Sequence, residues 1–406
     1  MTFPQPLLSP GSVLVAVSGA WGVFWGTWSA LLPAVLQRAG TSPAEFGLVL
    51  TAVPLGAMPA MAVVGRLAVG REPRALLLTA FSLAAGIVLL GGVSGPAGLG
   101  AALLVVGAMS GALDVCLNSA TARVERTTGR PLFQAVHAAF PVAVIAAAPL
   151  TGLARQAGVG IPSVLLVCAV LQAASALPLL RPAAVGGRGE EREGRGKGGA
   201  GPAAGPVRRV VGPAWRSAWV WGSVLGALGG CVLVVENAVE QWSVLLLEEH
   251  RDAPAVLASA APAVYMGALT VSRLVVQRMA PPPTRDLVLL GAVGGCGGIA
   301  WAALAPAAWL SLTGFAVCGL ALGPLMPALL GHAGRTDPSG YTVSVVSAVS
   351  YVAFLVSPLL VGSLTRWVSL PVALACLSSA AVPLLAAAAA ARWRPAWARP
   401  RTPADR

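Results

Sequence analysis

Charged residues are scarce in this sequence: only 10% of its 406 residues are Asp, Glu, Lys or Arg, whereas soluble domains carry about 25%. The six cysteines form no CxxC pair, so neither a disulfide framework nor a thiolate metal site is predicted. The sequence contains no HExxH, GxSxG or Walker motif, and we therefore predict no enzyme activity, no cofactor and no metal. Hydrophobic residues make up 56% of the chain. This balance is typical of a protein embedded in a lipid bilayer.

Apolar segments recur along nearly the whole chain, each about 20 residues long and so able to cross a hydrocarbon core of roughly 30 Å. The sequence therefore predicts an all-α membrane protein with twelve transmembrane helices. The twelve segments run approximately over 12–36, 44–65, 75–94, 97–121, 131–153, 160–180, 217–247, 254–277, 286–305, 308–331, 340–364 and 369–391.

Basic residues indicate the orientation, because cytoplasmic loops concentrate Lys and Arg. With the N-terminus inside, 23 of the 27 basic residues fall on inner loops and tails. An even number of spans then places both termini in the cytoplasm, in a multi-pass protein of the inner (cytoplasmic) membrane with no removable signal peptide. This topology explains the net charge of +12, so no nucleic-acid partner is predicted. The basic residues that fall outside are Arg38, Arg155, Arg251 and Arg366.

A stretch rich in Gly, Pro and charge separates the sixth and seventh segments. Because it cannot bury enough apolar surface to fold, residues 182–213 are predicted to form a disordered cytoplasmic linker. It divides the chain into an N-terminal six-helix bundle (1–181) and a C-terminal six-helix bundle with a short cytoplasmic tail (214–406).

The two halves are copies of each other. "VGRLAVGR" (64–71) and "VSRLVVQR" (271–278) agree at five of eight positions, and "TWSALL" in the first segment matches "QWSVLL" in the seventh. A third match, with one offset of 212, joins Gly107, Gly111 and Arg123 to Gly319, Gly323 and Arg335. Three matches in the correct order indicate an internal duplication.

A duplicated six-plus-six bundle with a charged central loop resembles the major facilitator superfamily over the whole chain. Three stretches are similar to its fucose permease-like branch: "LDVCLNSATARVERTTGRPLFQAVHAAF" (113–140), "VENAVEQWSVLLL" (235–247) and "SAVSYVAFLVSPLLVG" (347–362). The resemblance implies a working monomer whose two bundles rock about a site at the midplane. The family signature after the second helix has an Asp where this chain has Val69, so we do not assign its charge-relay role here.

Four ionisable residues lie inside predicted spans: Asp114, His137, Glu236 and Glu240. A charge at the bilayer centre costs about 2.5 to 3.5 kcal/mol even on a lenient scale, so such residues are functional candidates by default. By resemblance to proton-coupled sugar permeases, Asp114 is the leading candidate for reversible protonation, with Asn118 one turn later on the same face. Alternatively, Asp114 is a protonated acid that only locks its helix to a neighbour. His137 is either a proton relay to Asp114 or a structural hydrogen-bonding residue.

Glu236 and Glu240 lie one helical turn apart, where two carboxylates repel and titrate as a coupled pair. Such a pair suits proton exchange or the binding of a cationic or polyhydroxylated substrate. We favour Glu236 for the cavity, whereas Glu240 lies either in the cavity or near the outer headgroups. Both occupy positions that match glycines, Gly22 and Gly26, in the first half.

Trp21, Trp25 and Trp28 are spaced to form one aromatic stripe on the first helix. Aromatic rings that face a polar cavity can stack on sugars or planar ligands, and Trp25 and Trp21 are candidates for this role, while Trp28 fits ordinary packing. Further substrate-binding candidates are Asn118, Gln134, Asn237, Gln241, Tyr265 and Tyr351. Four arginines, read as inner-loop charges that set topology, are Arg66, Arg71, Arg273 and Arg278.

These features together predict a secondary transporter for a small solute, sugar-like or another small polar metabolite, that works by alternating access with proton coupling. Its partners would be the solute, protons and the lipid bilayer. An alternative is a proton-antiporting efflux permease for a drug or metabolite. A more distant alternative is a membrane sensor that transports nothing.

Overall fold

A computed structural model of the chain describes residues 9–68, 70–129, 131–180, 214–279, 282–337 and 341–390. The predicted linker 182–213, Val69, and the tail from 391 onward lie outside these ranges.

Twelve helices in the described ranges are long and apolar enough to cross a membrane, which confirms the predicted all-α class with twelve spans. They are α1 (Pro10–Ala39), α2 (Pro43–Leu67), α3 (Glu72–Gly92), α4 (Pro96–Thr128), α5 (Phe133–Gln156), α6 (Ile161–Leu180), α7 (Ala218–Arg251), α8 (Ala255–Arg278), α9 (Thr284–Leu304), α10 (Ala308–Thr336), α11 (Tyr341–Leu364) and α12 (Leu370–Ala389).

The α4 helix continues about two turns beyond its predicted end at 121, and its last turns cap the next helix. The carboxylate of Glu125 accepts the backbone N–H groups of Leu132 and, at 2.9 Å, Phe133. A carboxylate satisfies the free N–H groups at the start of a helix and interacts favourably with the helix dipole. Asp337, at the repeat offset of 212 from Glu125, accepts the N–H and hydroxyl of Thr342, both at 2.9 Å, and so caps α11. The duplication thus extends to the helix caps.

Several helices change geometry inside the membrane. The α10 helix is interrupted between Leu322 and Leu325 by Gly323 and Pro324, and α9 contains a π-helical segment over Gly291–Gly295. Proline lacks the N–H that an α-helix needs and leaves a carbonyl four residues earlier without its partner. Within a membrane such a carbonyl must find another donor in the protein.

The chain forms two compact units. Unit 1 comprises Met1–Gly198, Gln241–Met266 and Pro358–Trp367. Unit 2 comprises Gly199–Glu240, Gly267–Ser357 and Val368–Arg406. The boundaries fall inside α7, α8 and α11, so each of these helices contributes to both units.

In unit 1, α1 packs on α5 and α6, α2 packs on α4, and α3 packs on α4 and α6. The contact between α2 and α4 depends on small residues. A Cβ atom added to Gly107 would lie 2.1 Å from the Val53 carbonyl oxygen, so the two backbones touch there. Small residues that allow close backbone approach are a general means of packing helices in a bilayer.

A bidentate ion pair in unit 1 joins the end of α5 to the end of α7. The two guanidinium η nitrogens of Arg155 donate to the two carboxylate oxygens of Glu248 at 2.5 and 2.9 Å, and Nη1 also donates to the Ala30 carbonyl at 2.8 Å. Only 14% and 18% of the two side chains remain exposed. Arg38 similarly donates to the Gly91 carbonyl at 3.0 Å. These two arginines, predicted to lie outside, therefore link neighbouring helices.

In unit 2, serine hydroxyls tie α11 to α7. Ser350 donates to the Gly226 carbonyl at 3.0 Å, and Ser357 donates to the Val234 carbonyl at 2.8 Å. The α9 helix packs on α10 and α12. Each of these two carbonyls lies inside α7 and so also accepts a backbone N–H of its own helix. The serine hydroxyl is its second donor.

The contact at Gly107 predicts a selective loss of stability. Gly107→Ala should lower the unfolding temperature of the detergent-purified protein, because overpacking of a tight contact costs about 1 to 3 kcal/mol. Gly100→Ala, on the same helix, is the matched control, since a Cβ there has nothing within 4 Å. Equal unfolding temperatures for the two variants would contradict the close approach of α2 and α4.

The pair of Arg155 and Glu248 predicts energetic coupling. Glu248→Gln and Arg155→Gln should each reduce the free energy of unfolding by about 2 kcal/mol, because each leaves a charge with reduced hydrogen bonding in a mostly buried position. The double variant should lose less than the sum. A double-mutant cycle in mixed micelles titrated with SDS measures this, with exposed Glu249→Gln as control. Additive losses would show that the two side chains do not interact.

Candidate functional site

The first polar cluster lies in unit 1, where α1 faces α4. Trp21 and Trp25 both donate their indole N–H to the hydroxyl oxygen of Ser110, at 2.8 and 3.2 Å. The Trp21 ring also meets the ring of Phe140 edge-on, with centroids 4.8 Å apart. Both indoles are half-buried. Ser110 thus fixes the orientation of two adjacent aromatic rings.

Asp114 lies one turn after Ser110 on α4. Its Oδ1 atom accepts a hydrogen bond of 2.9 Å from the side-chain amide of Asn118, and its side chain is half-buried within the span. Among the described residues no Lys or Arg forms an ion pair with Asp114. A neutral amide donor on the same helix supports the carboxyl group without fixing it in one charge state.

His137 lies on α5 near this carboxyl group. The charges of His137 and Asp114 interact, while the imidazole is exposed and stacks on the ring of Phe133 with centroids 5.8 Å apart. Gln134, also exposed, precedes His137 by three residues and so lies on the same side of α5. Among the described residues no hydrogen bond joins His137 to Asp114, so the proton relay stays a prediction.

Trp28 separates from the predicted stripe of three tryptophans. It is 1% exposed and lines a small cavity with Arg38, Leu90 and Leu99 instead of reaching Ser110. Its repeat partner Trp242 is also buried and meets the Phe46 ring edge-on at 6.3 Å. The environment of Trp28 differs because every residue of α1 from Gly26 to Pro33 is buried, whereas Trp21 and Trp25 lie on a face that is half-buried.

The second polar cluster lies in unit 2, on α7. Glu236 and Glu240 are both half-buried, and neither makes a hydrogen bond to another described residue. Glu240 precedes the end of α7 at Arg251 by about three turns, so it lies well inside the helix. Glu236 interacts electrostatically with Arg273, and Glu240 interacts with Glu236. Asn237, 7% exposed, lies between them on the helix.

The interpretation of Arg273 as an inner-loop charge is wrong. The structure places it within α8, with Nε donating to the Gly323 carbonyl of α10 at 2.8 Å. Sequence reasoning grouped it with Arg66, its repeat counterpart, which is exposed at the end of α2. One signal was available, since Arg273 precedes the predicted end of its span by a full turn.

Sequence reasoning also missed His332. The predicted span ended at 331, whereas α10 continues to Thr336 and buries His332 to 4% exposure. Its imidazole meets the Trp221 ring with centroids 5.9 Å apart.

The remaining candidates are divided between the units. Gln241 and Tyr265 belong to unit 1, where Tyr265 is fully buried. Tyr351 belongs to unit 2, where it is 41% exposed and its ring lies against Phe354 at 5.5 Å. In the described ranges no group of three or more His, Cys, Asp or Glu side chains is arranged to hold a metal ion.

Sequence comparison relates the chain to membrane transporters. The family model described as Major Facilitator Superfamily matches residues 13–359. An uncharacterised MFS-type transporter of Yersinia pestis is 28% identical over 379 residues, covering 91% of this chain and 92% of that protein. An uncharacterised transporter of Sinorhizobium fredii is 31% identical over 140 residues, covering 34% and 37% of the two chains.

Solved structures share the fold. The nucleoside transporter NupG superposes with a TM-score of 0.72 at 12% identity, covering 94% of this chain and 98% of that one. An inward-facing bacterial homologue of the human lysosomal transporter Spinster gives 0.67 at 14% identity, with coverage of 93% and 94%. The narrower resemblance to the fucose permease-like branch stays a prediction. Because the family model spans most of the chain, this protein belongs to the major facilitator superfamily of membrane transporters.

Proposed function

We propose that this protein is a proton-coupled secondary transporter that moves a small polar solute across the cytoplasmic membrane by alternating access. The observation that carries the proposal is Asp114, a carboxyl group within a membrane span whose one described hydrogen bond comes from a neutral amide. Such a group can bind and release a proton without breaking an ion pair. A solved nucleoside transporter and a solved peptide transporter share the fold, which supports a small polar solute.

Proton coupling follows from the cost of charge in the membrane. An ionised Asp114 is expensive within the span, whereas the protonated acid is neutral. Asn118 can serve both forms, because its amide donates to the carboxylate and its carbonyl can accept from the protonated acid. His137, exposed on α5 and electrostatically linked to Asp114, supplies a route for the proton. The protonation state of Asp114 can then bias the protein between two conformations.

Trp21 and Trp25 are the proposed solute-contacting surface of unit 1. Ser110 accepts from both indoles, which orients the rings before any solute arrives. Preorganised aromatic faces bind the apolar face of a sugar or a planar ring at low entropic cost.

We propose further that the protein works as a monomer with both termini in the cytoplasm, in keeping with its basic inner loops and its complete duplication.

Asp114→Asn should abolish proton movement while preserving solute exchange. In vesicles that hold the purified protein and an internal pH dye, solutes from a panel of sugars, nucleosides and amino acids are applied outside. The wild type should acidify the lumen with one or more of them. The Asn variant should fall to the leak of protein-free vesicles, because an amide cannot carry the proton, yet it should still exchange labelled solute between the two sides.

Asp286→Asn, in the first turn of α9, is the matched control for loss of an acid and should retain the flux. Proton flux that persists in Asp114→Asn would remove this residue from the mechanism. Alkalinisation of the lumen would identify antiport, as expected of an efflux permease. Absence of flux and of exchange with every solute would favour a sensor.

A further inference from the structure

Arg273 occupies a repeat position that the two halves use differently. Its counterpart Arg66 is exposed at the end of α2, whereas Arg273 is half-buried within the span of α8. A guanidinium inside a membrane span is costly and generally marks a binding or conduction path. The arginine at this repeat position is therefore half-buried in the second half and exposed in the first half.

A freed carbonyl on α10 holds this guanidinium. In a regular helix the Gly323 carbonyl would accept from the N–H of residue 327, but Pro327 has none. Arg273 supplies the missing donor through Nε at 2.8 Å. A Cβ at position 323 would lie 2.3 Å from the Ser272 hydroxyl oxygen and 2.7 Å from the Leu269 carbonyl oxygen. Glycine is therefore required for α8 to approach the carbonyl this closely.

The Nε bond leaves both η nitrogens of Arg273 unused. Within the described ranges they donate to no acceptor and pair with no carboxylate. The remaining fork of N–H groups has the geometry that binds a carboxylate or phosphate through two parallel hydrogen bonds.

Glu236 presents the opposite charge in the same unit. It lies on α7, which packs against α10 close to the contact of Arg273: a Cβ on Gly229 would lie 2.9 Å from the sulfur of Met326, three residues after Gly323. Among the described contacts no hydrogen bond or ion pair joins Glu236 to Arg273. At the matching position of the first half, a Cβ on Gly22 would lie 2.3 Å from the Phe140 carbonyl oxygen, so no side chain fits there. In the described part of unit 2, Arg273, Glu236 and Glu240 thus form no ion pair. The two carboxyl groups occupy positions where the first half has glycines.

We propose that Arg273 binds the anionic group and Glu236 the cationic group of the transported solute, which is therefore a small zwitterion with a carboxylate and an ammonium group, of the α-amino acid class. This inference rests on the proposed transport function and specifies its substrate class. Two opposite charges held apart discriminate against solutes that bear only one of them, because the unmatched partner is left desolvated without compensation.

A binding assay with matched probes tests this substrate class. Thermal unfolding of the detergent-purified full chain is followed with four probes on each of the glycine, alanine, leucine and phenylalanine skeletons. These are the α-amino acid, its primary amide, the acid that lacks the amine, and the amide that lacks the amine. On at least one skeleton the amino acid should raise the unfolding temperature most. The amide that lacks the amine carries no charge, and this neutral amide should have no effect.

Two variants assign the charges. Arg273→Gln should weaken the apparent affinity for the amino acid by about tenfold or more, the usual effect of losing a charged hydrogen bond, and should leave the response to the primary amide unchanged. Arg273→Lys should retain part of the affinity, because it keeps the charge and a donor for Gly323. Glu236→Gln should abolish the response to the primary amide. Arg66→Gln is the matched control and should behave as wild type.

Three results would overturn the inference: equal stabilisation by the neutral amide, equal effects of Arg273→Gln and Arg66→Gln, or no response to any amino acid in the set. If Arg273→Gln does not fold, the Lys variant and Glu236→Gln decide the outcome. Binding is read without a proton gradient, so it is independent of the flux lost in Asp114→Asn. Zwitterion binding without flux would reject the transport proposal alone, and flux with neutral solutes would reject the substrate class alone.

Discussion

The bilayer interior contains no water, so each polar group within a span must find its partner in the protein. This chain meets the constraint by directing side chains onto helix carbonyls. Ser350 and Ser357 bond to carbonyls of α7, Arg155 bonds to one of α1, and Arg273 bonds to one that Pro327 leaves free. Such bonds join helices at fixed heights. Not every polar group within the spans has such a partner: the buried indole of Trp28 and the buried amide of Gln172 have none among the described residues, and neither does the carboxyl group of Glu236 in the second cluster.

Comparison of matching positions in the two halves distinguishes residues that stabilise the fold from residues available for ligands or protons. Glu125 and Asp337, one repeat apart, each cap the next helix, because each half must satisfy the same exposed N–H groups where a loop enters a helix. Glu236 has no such counterpart, since Gly22 packs against backbone. In this comparison the carboxylates that cap a helix recur in both halves, whereas the carboxyl group without a hydrogen bond occurs in one half. The second half has a glutamate, Glu236, at the position that matches Gly22. The backbone there must therefore leave room for a side chain that the first half does not admit.

Sequence alone predicted the twelve spans, because the length and apolarity of a span are set by bilayer thickness and need no knowledge of packing. It also named Asp114 and Glu236, since an ionisable residue in an apolar run is visible without a structure. It could not predict the environment of Arg273, because that side chain is directed by a carbonyl on another helix, fifty residues away in sequence. Nor could periodicity show that Trp28 would leave the face of Trp21, because the burial of a turn depends on which helices surround it.

The anchor on Arg273 also affects how tightly a solute can be held. If Arg273 and Glu236 formed a direct ion pair, a zwitterion would have to break it, and the gain on binding would be largely cancelled. The Gly323 carbonyl takes the Nε donor, and both η nitrogens stay without a described partner. A solute carboxylate can therefore bind the η nitrogens without first breaking an ion pair. A transporter must also release what it binds, so a carbonyl, which neutralises no charge, is a suitable anchor: it orients the guanidinium without competing with the solute for it.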